Sequence, residues 1–280
     1  MLKMIVSDLD GTFLTEDKKI SQENHELLEK CHQNNILFIP ASGRLLSGMS
    51  HEIINHPSVL YAICGNGSSI YSVKDKKELF FCGLSNNLVI DLYNKLNHFD
   101  ITFDIFSDNE VYTQKSVMDR LHEFNLDQGI YHYVVSSRKV VESDMIQFIR
   151  SCPQIDRLNI FYKDEDTKRK VIEIIKQFSE LTTSSSLKTN IEVMNKKASK
   201  GNALKWLCER LDVNCKDVVA FGDANNDVTL LQNAGIKVAM ENACIELKLI
   251  ADTITTSNEE SGVAKYCFKH FEEFKDSNLE

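Results

Sequence analysis

With 280 residues, 42% of them hydrophobic and 26% charged, the chain has an ordinary globular make-up, long enough for one large domain or a core carrying an inserted second domain. A formal charge of −9 disfavours a general nucleic-acid or anionic-membrane binder, since both need clustered Lys and Arg against phosphates. The opening run Met-Leu-Lys-Met-Ile-Val meets an acid at Asp8, too early for a signal-peptide core or a bilayer span, so a cytoplasmic address is expected.

Short apolar runs alternate with amphipathic stretches at both ends of the chain, the pattern of a parallel sheet covered by helices. Met4 to Ser7 predicts a strand, Glu23 to Asn34 a helix and Ile36 to Ala41 a second strand, with Pro40 tolerable at its end. Val59 to Cys64 predicts another strand, broken by Gly65-Asn66-Gly67 before the extended run Ser69 to Ser72. After about Gly83 the rhythm changes. A helix over Asn86 to Leu96 is followed by extended runs at Ile101 to Phe106 and Val111 to Thr113, joined by a turn at 107–109. Next come a helix near Met118 to Phe124, extended runs at Tyr131 to Val135 and Arg157 to Tyr162, and a helix over Asp164 to Phe178. Strands near Leu181 to Ser185 and Asn190 to Met194 complete this middle part, whose only polar cluster is Thr182 to Ser186. The α/β alternation then returns: helix Lys200 to Leu211, strand Val218 to Phe221, helix Asp227 to Asn233, strands Ile236 to Met240 and Ala251 to Thr255. The expected organisation is one core built from residues 1–83 and 190–280 around an inserted α+β unit at 84–189.

Eight cysteines lie scattered with no C-x-x-C pair, which reads as reduced, mostly buried thiols. His51 and His56 flank Glu52 but stand five apart, out of register for two metal ligands on one helix face.

Asp8 and Asp10 follow the first strand and precede Gly11, which places two carboxylates at the C-terminal edge of a parallel sheet, where open α/β folds bind ligands. A spacing of two along an extended chain points both to one side, and two such charges repel unless a cation sits between them. Magnesium is the natural hard cation for these oxygens and would also neutralise phosphate. One carboxylate would then attack phosphorus while the other serves as acid and base. An Asp-Gly turn in solvent is the plain alternative.

Ala41-Ser42-Gly43-Arg44 follows the second strand and offers a hydroxyl and consecutive N–H groups to a phosphate; the same serine is equally a helix N-cap. Lys200 opens a helix, where a positive charge opposes the helix dipole by ~0.3–1 kcal/mol. It is either an exposed lysine or a stabiliser of phosphate and of Asp8. In Phe221-Gly222-Asp223-Ala224-Asn225-Asn226-Asp227, a strand again ends on acids and amides. Asp223 is a candidate third metal ligand, Asn226 a phosphate donor, and Asp227 a partner orienting Lys200 or a metal-bound water. An Asx-rich turn is the alternative here.

These four segments, in this order, closely resemble the haloacid dehalogenase-like hydrolase superfamily, and within it the Cof-type phosphatases with a large inserted cap. Asp8-Leu9-Asp10-Gly11-Thr12 resembles the first family motif, Ser42-Gly43-Arg44 the second, Lys200 the third, and Gly222-Asp223 through Asn226-Asp227 the fourth. Met240 to Ala243 and Ser261 to Ala264 are similar to later family segments. The resemblance implies a Rossmann-like three-layer α/β core with a parallel sheet, plus an inserted α+β cap. It implies Mg²⁺ as cofactor, held by Asp8, Asp223 and the backbone carbonyl of Asp10. Asp8 would be the nucleophile, Asp10 the general acid and base, and Lys200 their catalytic partner. Phosphate would be held by the Leu9 backbone, Ser42, Gly43, Lys200 and Asn226, with Arg44 either contacting substrate or ion-paired at the surface. The implied activity is hydrolysis of small phosphorylated metabolites such as sugar phosphates, pyridoxal phosphate or flavin mononucleotide. A phosphotransferase using the same aspartyl-phosphate stays open, as does a non-catalytic Mg²⁺- and phosphate-binding signalling role. A monomer or weak homo-oligomer is expected.

Overall fold

The computed structural model of the chain describes residues 2–276 except 109, 125 and 186–188, with side chains as far as residue 271. The expected turn at 107–109 includes Asn109, and the polar cluster Thr182 to Ser186 includes Ser186; both of these residues lie outside that description.

The chain begins with β1 (Met4–Ser7), α1 (Gln22–Gln33), β2 (Leu37–Pro40), α2 (His51–Ile54), β3 (Tyr61–Cys64), β4 (Ser69–Ser72) and β5 (Lys77–Phe81). It continues through α3 (Asn86–Leu96), β6 (Asp104–Ser107), β7 (Glu110–Gln114), α4 (Lys115–Met118), α5 (Gln128–Ser137), β8 (Arg138–Val141), α6 (Met145–Ser151), β9 (Arg157–Phe161), α7 (Glu165–Ile175), β10 (Leu181–Ser184) and β11 (Asn190–Asn195). It closes with α8 (Lys200–Leu211), β12 (Val218–Gly222), α9 (Val228–Asn233), β13 (Ile236–Ala239), α10 (Ile245–Ile250), β14 (Thr253–Ile254) and α11 (Gly262–Asp276). These elements fall into two compact units, residues 1–81 with 198–280, and residues 82–197.

The first unit is built on a parallel sheet of order β14-β13-β12-β1-β2. All four β1 residues are fully buried, so both faces of the sheet are covered, as a parallel sheet requires. That is why its strands read as apolar runs rather than as alternations. Helix α1 starts at Ser21, whose hydroxyl accepts the Asn24 N–H at 3.2 Å, and buries Leu27, Leu28 and Cys31 in the core. A three-stranded antiparallel sheet, β3-β4-β5, belongs to the same unit. Its β5 carries the mixed sequence Lys-Glu-Leu-Phe-Phe, whose charged start hides it in the sequence.

The second unit is a six-stranded sheet of order β10-β11-β9-β6-β7-β8, antiparallel except for the β7–β8 pair. One face carries Ile105, Leu158, Ile160, Ile191 and Val193 into a core shared with Val89 and Leu92 of α3, Met145 and Ile149 of α6, and Val171 and Ile175 of α7. The other face carries buried polar groups: Asp104 accepts from Arg138 at 3.2 Å and from Asn159 at 3.3 Å, and Asn190 donates to Asn159 at 2.7 Å.

Two expectations are corrected here. Tyr131 to Val135 is helical, not extended: Asp127 caps α5 by accepting the Ile130 N–H at 2.8 Å, and Ile130, Tyr131 and Val134 pack with Leu121, Phe124 and Phe161. Packing at helical spacing overrides the strand preference of Tyr and Val. The second boundary also moves, from 190 to 198, because β11 is hydrogen-bonded between β10 and β9 and cannot belong to the parallel core. The helices α6, α10 and α11, and the short α2, have no counterpart among the elements expected from the sequence.

The described cysteines are free thiols, and Cys31, Cys64, Cys152, Cys208 and Cys267 are buried. His56 is engaged by Ser58 at 2.8 Å and by Glu29 at 3.2 Å, which is a structural role.

Candidate active site

Strand β1 lies between β12 and β2, so Asp8 emerges at the C-terminal edge of the sheet with Gly222 and Ala41 on either side. The Asp8 N–H donates to the Phe221 carbonyl at 3.1 Å, and the Ala41 N–H to the Ser7 carbonyl at 2.8 Å. The three strand ends are thereby held level, and segments far apart in sequence open onto one place.

Lys200 settles between two acids there. Its ammonium lies 2.6 Å from Asp8 Oδ1 and 2.6 Å from Asp227 Oδ1, and the residue is wholly buried. A buried charge is tolerated only when paired, so the lysine that opens α8 is held in the interior by two acids and is not an exposed one. Ser199 supplies the N-cap that begins the helix at this point, accepting the Asn202 N–H at 3.1 Å. Burial works against the Lys200 charge, but the two carboxylates outweigh it and keep the ammonium protonated.

Asp227 has both oxygens engaged, for its Oδ2 accepts the Asp223 and Ala224 N–H groups at 3.0 and 3.1 Å. It fixes the loop that carries Asp223. Asp223 accepts the Thr12 hydroxyl at 2.9 Å, so the first and last segments of the site are tied directly. Gly11, at φ +82°, passes so close that a Cβ would stand 2.5 Å from Asp223 Oδ2. Asn242 holds the same turn from the other side by donating to the Gly11 carbonyl at 2.8 Å.

Burial raises the Asp8 carboxyl to about 8 against the pull of Lys200, with repulsion from Asp227 and Asp223 adding to the rise. Asp223 is raised too, by burial first and then by Asp227. Among the described residues, Asp8, Asp223 and Asp227 bring carboxylate oxygens within 4.8 Å of one another. A crowded, all-oxygen, electron-rich donor set of this kind fits a hard divalent cation.

The expected pairing of Asp8 with Asp10 is not found. The chain leaves the strand at Leu9, so alternation along an extended backbone no longer applies, and the Asp10 carboxylate turns to Arg44 and Lys18 instead. Arg44 grips it with Nε at 2.7 Å and Nη2 at 2.6 Å, and Lys18 lies at 2.9 Å. Burial pushes the Asp10 carboxyl up, but the hydrogen bonds from Arg44 and Lys18 outweigh it and the net shift is downward. Arg44 therefore belongs to Asp10, and its Nη1 donates to the Gly48 carbonyl at 2.9 Å.

Ser42 is buried and caps no helix; its hydroxyl accepts the Arg44 N–H at 3.1 Å within a bend. Asn226 lies in the turn Asn225–Asp227 and donates through Nδ2 to Asn66 Oδ1 at 2.9 Å. Asn66 and Ser199 are residues of this region that sequence reasoning passed over as site residues, and Asn242 was reached only as part of the segment Met240 to Ala243 that is similar to a later family segment. The Gly-Asn-Gly triplet around Asn66 left a local signal, but it reads as a turn.

The sequence profile of the haloacid dehalogenase-like hydrolases matches residues 5–267. Phosphatase YwpJ of Bacillus subtilis is 28% identical to the chain, over 96% of it and 99% of the relative. The 5-amino-6-(5-phospho-D-ribitylamino)uracil phosphatase YcsE of the same organism is 26% identical over 94% of each. Among solved structures, a haloacid dehalogenase-like hydrolase from Bacteroides thetaiotaomicron superposes with a TM-score of 0.79 at 26% identity, covering 96% of this chain and 99% of that one. A Thermotoga maritima protein, TM0651, shares the fold with a TM-score of 0.81 at 23% identity, over 96% and 97% of the two chains. No helix among the described residues is long and apolar enough to cross a membrane. With a profile match that spans most of its length, the chain belongs to the haloacid dehalogenase-like hydrolases.

Proposed function

We propose that the chain is a Mg²⁺-dependent phosphatase of small phosphorylated metabolites, working through an aspartyl-phosphate on Asp8. The observation that carries this reading is Lys200, wholly buried yet bonded to Asp8 and Asp227 at 2.6 Å each, beside Asp223. Such an arrangement costs several kcal/mol to desolvate, and strongly shifted groups of this kind cluster at functional sites.

In this reading an Asp8 oxygen attacks phosphorus as the P–O bond to the leaving group breaks. Asp10 gives its proton to the departing oxygen and then takes one from the water that splits the acyl phosphate. Arg44 and Lys18 hold Asp10 anionic in the free protein, so it takes up a proton from solvent as substrate binds and loosens these ion pairs; having given that proton to the leaving oxygen, it is the base of the second step. The Leu9 and Gly43 N–H groups, the Ser42 hydroxyl, the Asn226 amide and Lys200 bind the phosphoryl oxygens, while Arg44 acts on substrate through Asp10. Asp8, Asp223 and the Asp10 carbonyl would hold Mg²⁺, which supplies charge neutralisation at the phosphoryl group. Asp227 fixes Lys200 and the Asp223 loop.

The substrate class is supported by relatives named as phosphatases, one of them for a ribityl phosphate. A small-molecule partner, sugar phosphates and pyridoxal or flavin phosphates included, is proposed, and so is a cytoplasmic setting. Purified protein should release phosphate from p-nitrophenyl phosphate only with Mg²⁺, and Asp8→Asn should abolish the release. Full activity in Asp8→Asn, or transfer to a second sugar phosphate without net release, would overturn the hydrolytic mechanism.

A further inference from the structure

The turn at Gly65–Gly67, between β3 and β4, touches three of the segments that build the site. The Asn66 N–H donates to the Ser42 carbonyl at 3.0 Å, and the Gly65 N–H to the Arg44 carbonyl at 3.0 Å. The Asn66 side chain lies against Gly43, where a Cβ would stand 3.0 Å from its Oδ1. Gly67 presses on the start of α8, for a Cβ there would stand 2.2 Å from the Ser199 carbonyl oxygen and 2.8 Å from the Lys200 backbone nitrogen. Across this turn, the same Asn66 Oδ1 accepts Asn226 Nδ2 at 2.9 Å, joining residues 160 apart in sequence. Asn66 is buried and holds φ at 57°, a left-handed conformation that asparagine tolerates better than most residues.

We propose that Asn66 is a positioning residue of the phosphate site, which fixes the Asn226 carboxamide with its nitrogen end toward the Ser42–Gly43 turn. This rests on the phosphatase reading and on Asn226 as a phosphate donor within it. A carboxamide has a donor end and an acceptor end of nearly equal size, and only the donor end is attractive to an anion. By accepting one Nδ2 hydrogen, Asn66 Oδ1 sets the plane and sense of the group and leaves the second hydrogen for a phosphoryl oxygen. A rotated Asn226 would present its oxygen to that anion instead. The bonds from Asn66 N to Ser42 and from Gly65 N to Arg44 make the turn rigid enough to impose this choice.

The test is a double-mutant cycle read on the inhibition constant of inorganic phosphate, with Mg²⁺ saturating and p-nitrophenyl phosphate as reporter. Asn66→Gly removes the acceptor but suits the positive φ; Asn226→Ala removes the donor. Each single change should weaken phosphate about tenfold, the weight of one hydrogen bond to a charged group. The double variant should bind phosphate no worse than Asn226→Ala alone, because the amide that Asn66 orients is already gone. Melting temperatures within a few degrees of the parent should accompany these values. The proposal is overturned if the two losses multiply, if Asn66→Gly binds phosphate as the parent does, or if Asn66→Gly lowers the melting temperature in step with its loss of binding. Should Asn226→Ala leave phosphate binding intact while Asp8→Asn is inactive, the role of Asn66 falls and the phosphatase reading stands. Activity in Asp8→Asn would instead strike the phosphatase reading itself.

Discussion

Gly11 and Asp223 approach so closely that the first leaves room for hydrogen only: a methyl group at Gly11 would stand 2.5 Å from Asp223 Oδ2. At φ +82° the position is also unfavourable to any side chain. Gly11→Ala should therefore displace the Asp223 carboxylate while leaving the sheet intact. Steady-state assays should show kcat/KM for p-nitrophenyl phosphate falling about a hundredfold, the usual consequence of misplacing a site group by an ångström. Far-ultraviolet circular dichroism should be unchanged.

Removing the Lys200 ammonium strands two carboxylates in the interior. Lys200→Met should cost about 3–5 kcal/mol in urea unfolding, as expected when one partner of a buried ion pair is lost. An exposed lysine would cost almost nothing, so the measurement discriminates between the two sequence readings of this residue. Phosphatase activity should vanish in the same variant.

A cation that relieves the repulsion among Asp8, Asp223 and Asp227 binds the native state alone and must raise its stability. At a Mg²⁺ concentration ~100 times the dissociation constant, the gain is about 2.7 kcal/mol. Melting curves with and without EDTA should separate accordingly. In Asp223→Asn most of that separation should disappear.

In the second unit, Asp104 is buried, and burial raises its carboxyl above the 3.8 of an ordinary aspartate, against the pull of Arg138. A raised folded value means that its contribution is full below 3.8 and is lost as pH rises through the folded value. Arg138→Met removes the guanidinium that offsets this loss. Its cost should be about 3–5 kcal/mol at neutral pH, as for a broken buried pair, and should shrink toward about pH 4 as Asp104 takes up its proton. Asp104→Asn should flatten that pH dependence; denaturant midpoints across the pH range report both effects.

Where local pattern and tertiary environment agree, sequence was enough. Met4 to Ser7, Asn86 to Leu96 and Lys200 to Leu211 coincide with β1, α3 and α8, the first an apolar run and the other two periodic faces behind a Ser cap. Tyr131 to Val135 failed because its strand-favouring residues are claimed by a small apolar cluster at helical spacing. In the site, Asp8, Asp223, Asp227 and Lys200 were legible as strand-end acids and a misplaced cation, and they meet. Asp10 could not be resolved, because the direction of its carboxylate depends on Arg44, 34 residues away, and on a turn that begins at Leu9. Asn66 left no chemical trace at all, since its meaning is a hydrogen bond to Asn226.

The parallel pairing of β1 with β12 has a consequence for synthesis on the ribosome. Strand β1 leaves the tunnel long before its partner, Val218 to Gly222, has been made. Until then β1 can pair only with β2, and one row of its main-chain donors and acceptors stays bare beside a mostly apolar strand. The intervening stretch closes its own sheet from contiguous residues in the meantime, so the nascent chain passes through a stage in which a finished module interrupts an open-edged half. Such an edge invites misassociation. Truncations ending before residue 218 should accordingly be prone to aggregate, and chaperone dependence should drop sharply once β12 is translated.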